Sequence, residues 1–335
     1  MGIRGGALGK VPAELANLRW LTWLGLDYCP VPQLPEEVFS LPKLSHLTLS
    51  HLDLREMPPQ IGKLESLSHL EVDVTPLVTF PEQFCRLRGL ETLLASFRTW
   101  KGRGPLRRLI DCFGELASLR QPDLSSNYLE RLPEGFGSLG SLRFADLSHN
   151  ALRALPESTG SLSALRWLRL ERNALERLPS SLENLGELRH LSVFDNRLAT
   201  LPDSLVQAPR LEVLDASSNP LEVLPESKRQ PCWETLRVLN LGGCQLSALQ
   251  NLGSPRSLEE LVLWGNPLKV LPDSIGQLSN LRSLDLRDNP IEHLPESLGN
   301  CEALQVLNLH GTRVRNLPEG VERLRRSGLV VVGVN

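Results

Sequence analysis

The 335-residue sequence has little charge imbalance: 36 Lys and Arg against 39 Asp and Glu leave a formal net charge of -3. It therefore lacks the strong basic field that non-specific nucleic-acid binding needs, and no nucleic-acid partner is expected. No run of 18 uncharged apolar residues occurs, and the start, MGIRGGALGKVPAEL, holds no apolar stretch of signal-peptide length, so neither a membrane span nor a leader is expected. The six cysteines (29, 85, 112, 232, 244 and 301) include no C-x-x-C pair. That spacing suits neither a zinc site nor a disulfide framework, and free buried thiols would fit a reducing compartment, so a soluble cytoplasmic chain is expected. Gly2 opens a loose myristoylation pattern, but Gly6 stands where Ser or Thr is required.

Catalytic signatures are missing as well. There is no G-x-S-x-G, no H-E-x-x-H and no phosphate-binding loop. One G-x-G-x-x-G, at Gly135, Gly137 and Gly140, leads into a strand pattern, the reverse of the strand-to-helix order that places a pyrophosphate at a helix N-terminus. No catalytic residue, metal or cofactor is expected, and the chain reads as not an enzyme.

What the sequence has is repetition. Residues 145–156 read ADLSHNALRALP and residues 168–179 read LRLERNALERLP, 23 positions later. Taking the first Leu of each phrase as position 1, thirteen units begin at Leu21, Leu44, Leu67, Leu90, Leu119, Leu142, Leu165, Leu188, Leu211, Leu236, Leu258, Leu281 and Leu304. Positions 4 and 6 alternate with polar neighbours, as a half-buried strand requires, whereas 14, 18 and 21 return at helical spacing. Each unit thus predicts a strand, a turn and a short helical or 3-10 stretch, with parallel strands stacked ~4.8 Å apart. One unit cannot bury its own leucines; stacking joins them into one core.

Pro at position 15 suits the first position of a helical turn, where its missing N–H costs nothing. Asn at position 9 recurs in seven units, Asn127, Asn150, Asn173, Asn196, Asn219, Asn266 and Asn289. A buried amide can satisfy backbone groups where the chain leaves the strand, so its role is structural.

With LxxLxLxxNxLxxLP followed by an apolar position 18 and a Leu near 21, the sequence resembles the leucine-rich repeat proteins. Its class is the 23-residue one found in bacterial proteins, plant intracellular Ras-group-related proteins and animal small-GTPase-pathway scaffolds. The resemblance covers essentially the whole chain. It implies an α/β solenoid curved like a horseshoe, a concave parallel sheet with short helical or 3-10 segments on the convex side, and a role in protein binding and signal transduction. The expected organisation is a partial repeat at 1–20, thirteen repeats in one solenoid at 21–328, and a terminal strand at 329–335, an edge suited to self-association or a partner.

The first four full units depart from the pattern, with Cys29, Leu52, Thr75 and Arg98 at position 9. The unit at 90–118 is longer. In it Leu106, Leu109, Ile110 and Phe113 share a helical spacing that predicts an extra outer helix, surrounded by Arg98, Lys101, Arg103, Arg107 and Arg108. PESKRQPCWETL lengthens the unit at Leu211 and reads as loop variation.

Positions 2, 3, 5, 7 and 8 are expected to face outward. Six of the seven histidines (46, 51, 69, 149, 190 and 310) and seven aromatics, including Phe97, lie there. Position 3 should form vertical rows: Trp23 with His46 and His69, and Phe144 with Trp167 and His190. Charge at these positions is acidic over the first four units, basic at Leu165 and acidic again from Leu211. Phe144, Trp167, Arg169, Arg172, His190 and Phe194 are the candidate protein-binding residues, because aromatics and Arg dominate binding hot spots. Trp23, Tyr28, His46, His69 and Trp264 form a secondary set. Asp at position 5 (Asp123, Asp146, Asp215, Asp285) could instead serve neighbouring strands, and His46, His69 and Glu71 share a face that a zinc ion could use.

The leading expectation is a non-enzymatic interaction scaffold that binds a protein through the concave sheet. The alternative is the substrate-recognition portion of a larger or associated enzyme or effector, such as a bacterial ubiquitin ligase acting in a host cytosol.

Overall fold

A computed structural model describes residues 12–28, 33–97, 102, 104–225, 233–249, 252 and 255–334. The chain divides into two compact units, Met1–Ala174 and Leu175–Asn335. Each is a leucine-rich solenoid whose strands form a parallel sheet on the concave side, with 3-10 segments on the convex side.

The first unit holds β1 (Trp23–Gly25), β2 (His46–Thr48), β3 (His69–Glu71), β4 (Thr92–Leu94), β5 (Gln121–Asp123), β6 (Phe144–Asp146) and β7 (Trp167–Arg169). The second holds β8 (His190–Ser192), β9 (Val213–Asp215), β10 (Val238–Asn240), β11 (Glu260–Val262), β12 (Ser283–Asp285), β13 (Val306–Asn308) and β14 (Val330–Val332). Every strand is positions 3 to 5 of its repeat. Position 4 is buried from β1 to β13, as at Leu24, Leu47, Leu168, Leu191 and Leu214, and half-buried at Val331 of β14, while position 3 turns outward. β5 is the exception in kind, because its central residue is Pro122. Pro122 has no N–H to donate toward β6, and that pair is reduced to one register match, Asp123↔Asp146.

The position-15 prolines sit one residue before the helical turn, as extended N-caps, and not as its first residue. Pro133, with φ -68° and ψ 151°, precedes the 3-10 segment Glu134–Ser138. Its carbonyl accepts the Phe136 N–H at 2.9 Å, closing the turn that buries position 18. The glycines of the G-x-G-x-x-G stretch belong to this layer: a Cβ on Gly137 would collide with the backbone oxygen of Ser158 in the next repeat. Gly135 and Gly137 permit close stacking, whereas a Cβ on Gly140 would meet nothing within 4 Å. Among the described residues one α-helix, α1 (Glu319–Arg326), replaces the 3-10 segment before β14, whose Val330 and Val332 are exposed. Among the described residues no helix is long and apolar enough to cross a membrane.

Two expectations need correction. Residues 104–110 of the long unit form no helix. Leu106 and Leu109 are buried, Arg108 bridges Arg131 in parallel, and only Asp111–Glu115 is helical, as a 3-10 turn that buries Phe113. Of the basic cluster, Arg107 and Arg108 are exposed, and Arg107 pairs with Glu130 at 3.2 Å; Arg98, Lys101 and Arg103 lie outside the described residues. The second correction concerns the thiols. Cys85 and Cys112, in the adjacent 3-10 segments Glu82–Arg86 and Asp111–Glu115, form a disulfide with Cα atoms 6.0 Å apart. The cysteines therefore no longer support a reducing compartment. Cys244 and Cys301 are free and buried, and burial pushes both thiols up to about 11; Cys29 and Cys232 lie outside the described residues.

Asn at position 9 performs the structural role expected of it. Asn150 Nδ2 donates to Leu124 O at 3.0 Å, Leu147 O at 3.0 Å and Ser148 O at 3.2 Å, while its Oδ1 accepts the Leu129 N–H at 2.9 Å. Asn219 and Asn289 repeat the same set in the second unit. Position 8, just before it, is held in the left-handed region in most repeats, at φ 59° for Tyr28, 54° for Val74, 56° for Arg172 and 64° for Gly243.

Candidate protein-binding face

The leucines decide which side chains reach the open face of each sheet. In the first unit, Phe144 pairs with Trp167 and Asp146 with Arg169 across β6 and β7. Trp167 is 44% exposed, and Phe144 is half-buried beside it. Arg169 does not swing freely: it bonds Asp146 Oδ2 at 3.0 Å and Glu171 Oε1 at 2.8 Å. Burial works against its charge, but Asp146, Glu171 and Asp123 together outweigh that and hold the guanidinium more firmly protonated than usual. Arg172 is exposed on the left-handed turn that follows.

Asp146 was expected to project outward, yet it is only 1% exposed. Its Oδ1 accepts the Ser148 N–H at 3.0 Å and the Ser148 hydroxyl at 2.5 Å. Asp123, Asp215 and Asp285 make the same backbone bond to Ser125, Ser217 and Arg287. Position-5 Asp is therefore a turn-fastening residue. Asp146 and Glu171, which fix Arg169, were missed as partners of the site; the signal was their charge one repeat and two residues away from Arg169.

In the second unit, His190 and Phe194 are both half-buried. Burial lowers the His190 pKa, Glu212 opposes this and Arg189 reinforces it; Arg189 itself is paired with Glu212. Trp264 lies over Gly242 and Gly243, so closely that a Cβ on Gly243 would stand 2.9 Å from its ring. It is half-buried packing more than a projecting anchor.

Position 3 forms the expected row in the first unit. Trp23 pairs with His46, and His46 with His69. The two imidazoles stack with centroids 4.2 Å apart and planes at 8°, and Tyr28 stacks on His51 at 4.1 Å and 10°. His51 went unselected in the sequence because a left-handed turn residue carries no local mark of its neighbour one repeat away. The zinc idea fails on geometry: the Glu71 carboxylate turns to the Ser50 hydroxyl at 2.9 Å, and each imidazole Nδ1 meets its preceding serine hydroxyl at 2.8 Å. Among the described residues no three His, Cys, Asp or Glu converge on a metal position.

Comparison with known proteins places this geometry. The leucine-rich repeat region description matches residues 1–131 and 217–327, and a leucine rich repeat description matches 146–198. The chain belongs to the leucine-rich repeat family. It is similar to a leucine-rich repeat protein of Leptospira interrogans, at 25% identity and TM-score 0.63, covering 97% of this chain and 93% of that one. It also shares its fold with the plant peptide hormone receptor RGFR1, solved with RGF2, at 24% identity and TM-score 0.76, over 97% of this chain and 53% of that chain. A third similar fold is TLR13, solved with ssRNA13, at 24% identity and TM-score 0.71, over 92% of this chain and 50% of that chain. This chain thus spans about half of either receptor chain. No curated protein sequence matches it.

Proposed function

We propose that the chain is a non-enzymatic interaction scaffold that binds a protein through its strand-lined face. Phe144, Trp167, Arg169 and Arg172 would supply contacts in the first unit, and His190 and Phe194 in the second. The observation that carries this reading is the Trp167 platform. A large ring is exposed in register with Phe144, and a guanidinium beside it is already fixed by two carboxylates, so little side-chain entropy remains to be lost on binding. The family and fold are typically protein-binding and non-enzymatic, and the RGFR1 structure is of a receptor with its hormone. The fold itself does not exclude nucleic acid, since the TLR13 structure is a complex with ssRNA13; the small net charge is what favours protein here.

The test is partner capture with wild type and Trp167→Ala, followed by calorimetry on the captured protein. Because Trp167 is exposed, the variant should keep its melting temperature and lose about 2 kcal/mol or more of binding. Capture that survives the change undiminished would remove Trp167 from the contact surface.

A further inference from the structure

Strands β1–β4 present a surface chemically unlike the Trp167 platform. Positions 2, 3, 5, 7 and 8 of these four repeats are all described. They hold four carboxylates, Asp27, Glu71, Asp73 and Glu91, and neither Lys nor Arg. Three of the four converge: Asp27, Glu71 and Asp73 line one depression of about 460 Å³ together with Tyr28 and His51. Bonds to Ser50 and Ser96, just past β2 and β4, fix the carboxylates. Asp27 Oδ1 accepts the Ser50 N–H at 3.1 Å, Glu71 Oε1 accepts the Ser50 hydroxyl at 2.9 Å, and Asp73 Oδ1 accepts the Ser96 N–H at 2.7 Å and hydroxyl at 3.0 Å.

At the rim, Tyr28 is 60% exposed and lies flat on His51. It offers an aromatic face of the kind that attracts a cation. The depression is thus concave, acidic and edged by a π face, and it opens on a stretch of sheet with neither Lys nor Arg at its outward positions. Burial raises the Asp73 pKa, the Ser96 bonds oppose this, and the like charges of Asp123 and Glu71 raise it further; an arriving cation would relieve that repulsion.

We propose that this depression receives an arginine side chain from an extended basic segment of a protein partner, with Asp27, Glu71 and Asp73 facing the guanidinium and Tyr28 stacking on it. Arginine fits better than lysine because its planar fork can bond more than one carboxylate while its face meets the ring. The inference rests on the protein-binding reading and gives the partner's chemistry, but it uses no residue of the Trp167 platform.

The probe is a fluorescein-labelled heptapeptide of alternating Gly and Arg, compared by anisotropy with its Gly-Glu counterpart. The wild type should bind the Arg peptide, with affinity falling as salt is raised. Glu71→Gln with Asp73→Asn should weaken it about tenfold or more, as loss of close charge partners does. Tyr28→Ala, at an exposed position outside the core, should weaken it several-fold while leaving the melting temperature in place. Trp167→Ala should leave peptide binding unchanged even where it abolishes partner capture, so the two readings stand or fall separately. The proposal is overturned if the Arg and Glu peptides bind alike, or if neutralising the exposed pair Glu65→Gln and Glu82→Gln costs as much as the Glu71 and Asp73 changes.

Discussion

Replacing Asn150 by Ala tests the internal frame that holds the binding face. Asn150 is 1% exposed and makes four bonds to backbone groups. Not all four partners are orphaned by its loss. Leu124 O still receives Asn127 Nδ2 at 3.1 Å, Leu147 O receives Asn173 Nδ2 at 3.0 Å, and Ser148 O receives the Ser126 N–H at 3.0 Å. The Leu129 N–H is different, since Asn150 Oδ1 is its acceptor. One buried donor left unpaired costs about 1–3 kcal/mol, and weakening three shared acceptors adds to it, so the variant should lose about 3 kcal/mol. Asn150→Asp keeps the acceptor for Leu129 but turns a carboxylate oxygen toward three carbonyls. It should lose more at neutral pH and recover part of the loss on acidification, because its folded-state pKa is raised. Urea unfolding by circular dichroism gives the total, and amide exchange at Leu129 localises it. A loss below about 0.5 kcal/mol, with Leu129 still protected, would refute the reasoning.

Two other consequences follow from the first unit. Val74 is β-branched yet held at φ 54°, a conformation costing about 1 kcal/mol or more that glycine escapes. Val74→Gly should therefore raise the melting temperature by a few degrees, and a fall would show that its side-chain packing outweighs the backbone strain. His69 has its pKa lowered from 6.5 by burial and by His46, with Glu91 opposing. The unfolded chain then binds the proton more readily, so stability is lost as pH falls below 6.5 through the folded value. His69→Gln should flatten the melting-temperature profile over that range; parallel profiles would contradict the coupling.

The period, the buried leucines and the asparagine frame were legible because burial imposes a repeat on the sequence itself. Leu24, Leu47 and Leu168 occupy equivalent places, and so do Asn150 and Asn219. The rows Trp23, His46 and His69, or Phe144 and Trp167, followed from that register. What escaped depended on contacts between repeats that no single repeat records. Leu106 and Leu109 fit a helical spacing as well as an extended inward run, and the neighbouring strand-like bridge of Arg108 to Arg131 decided between them. Cys85 and Cys112 are 27 residues apart, about one repeat with its insertion, so stacking makes them neighbours in the outer layer. Asp146 looked like any outward Asp until Arg169 covered it. The left-handed turn at position 8 is occupied by Tyr, His, Val, Ser, Arg and Asp as well as glycine, which leaves no compositional trace.

The central claim is that the leucine register delivers Trp167 to the open face while its neighbour Leu168 is sealed in the core. Single substitutions Trp167→Cys and Leu168→Cys, labelled with a maleimide under native conditions and read by peptide mass spectrometry, test it directly. The account predicts rapid labelling at 167 and labelling at 168 only after denaturant is added; equal rates at the two positions, or faster labelling at 168, would contradict it.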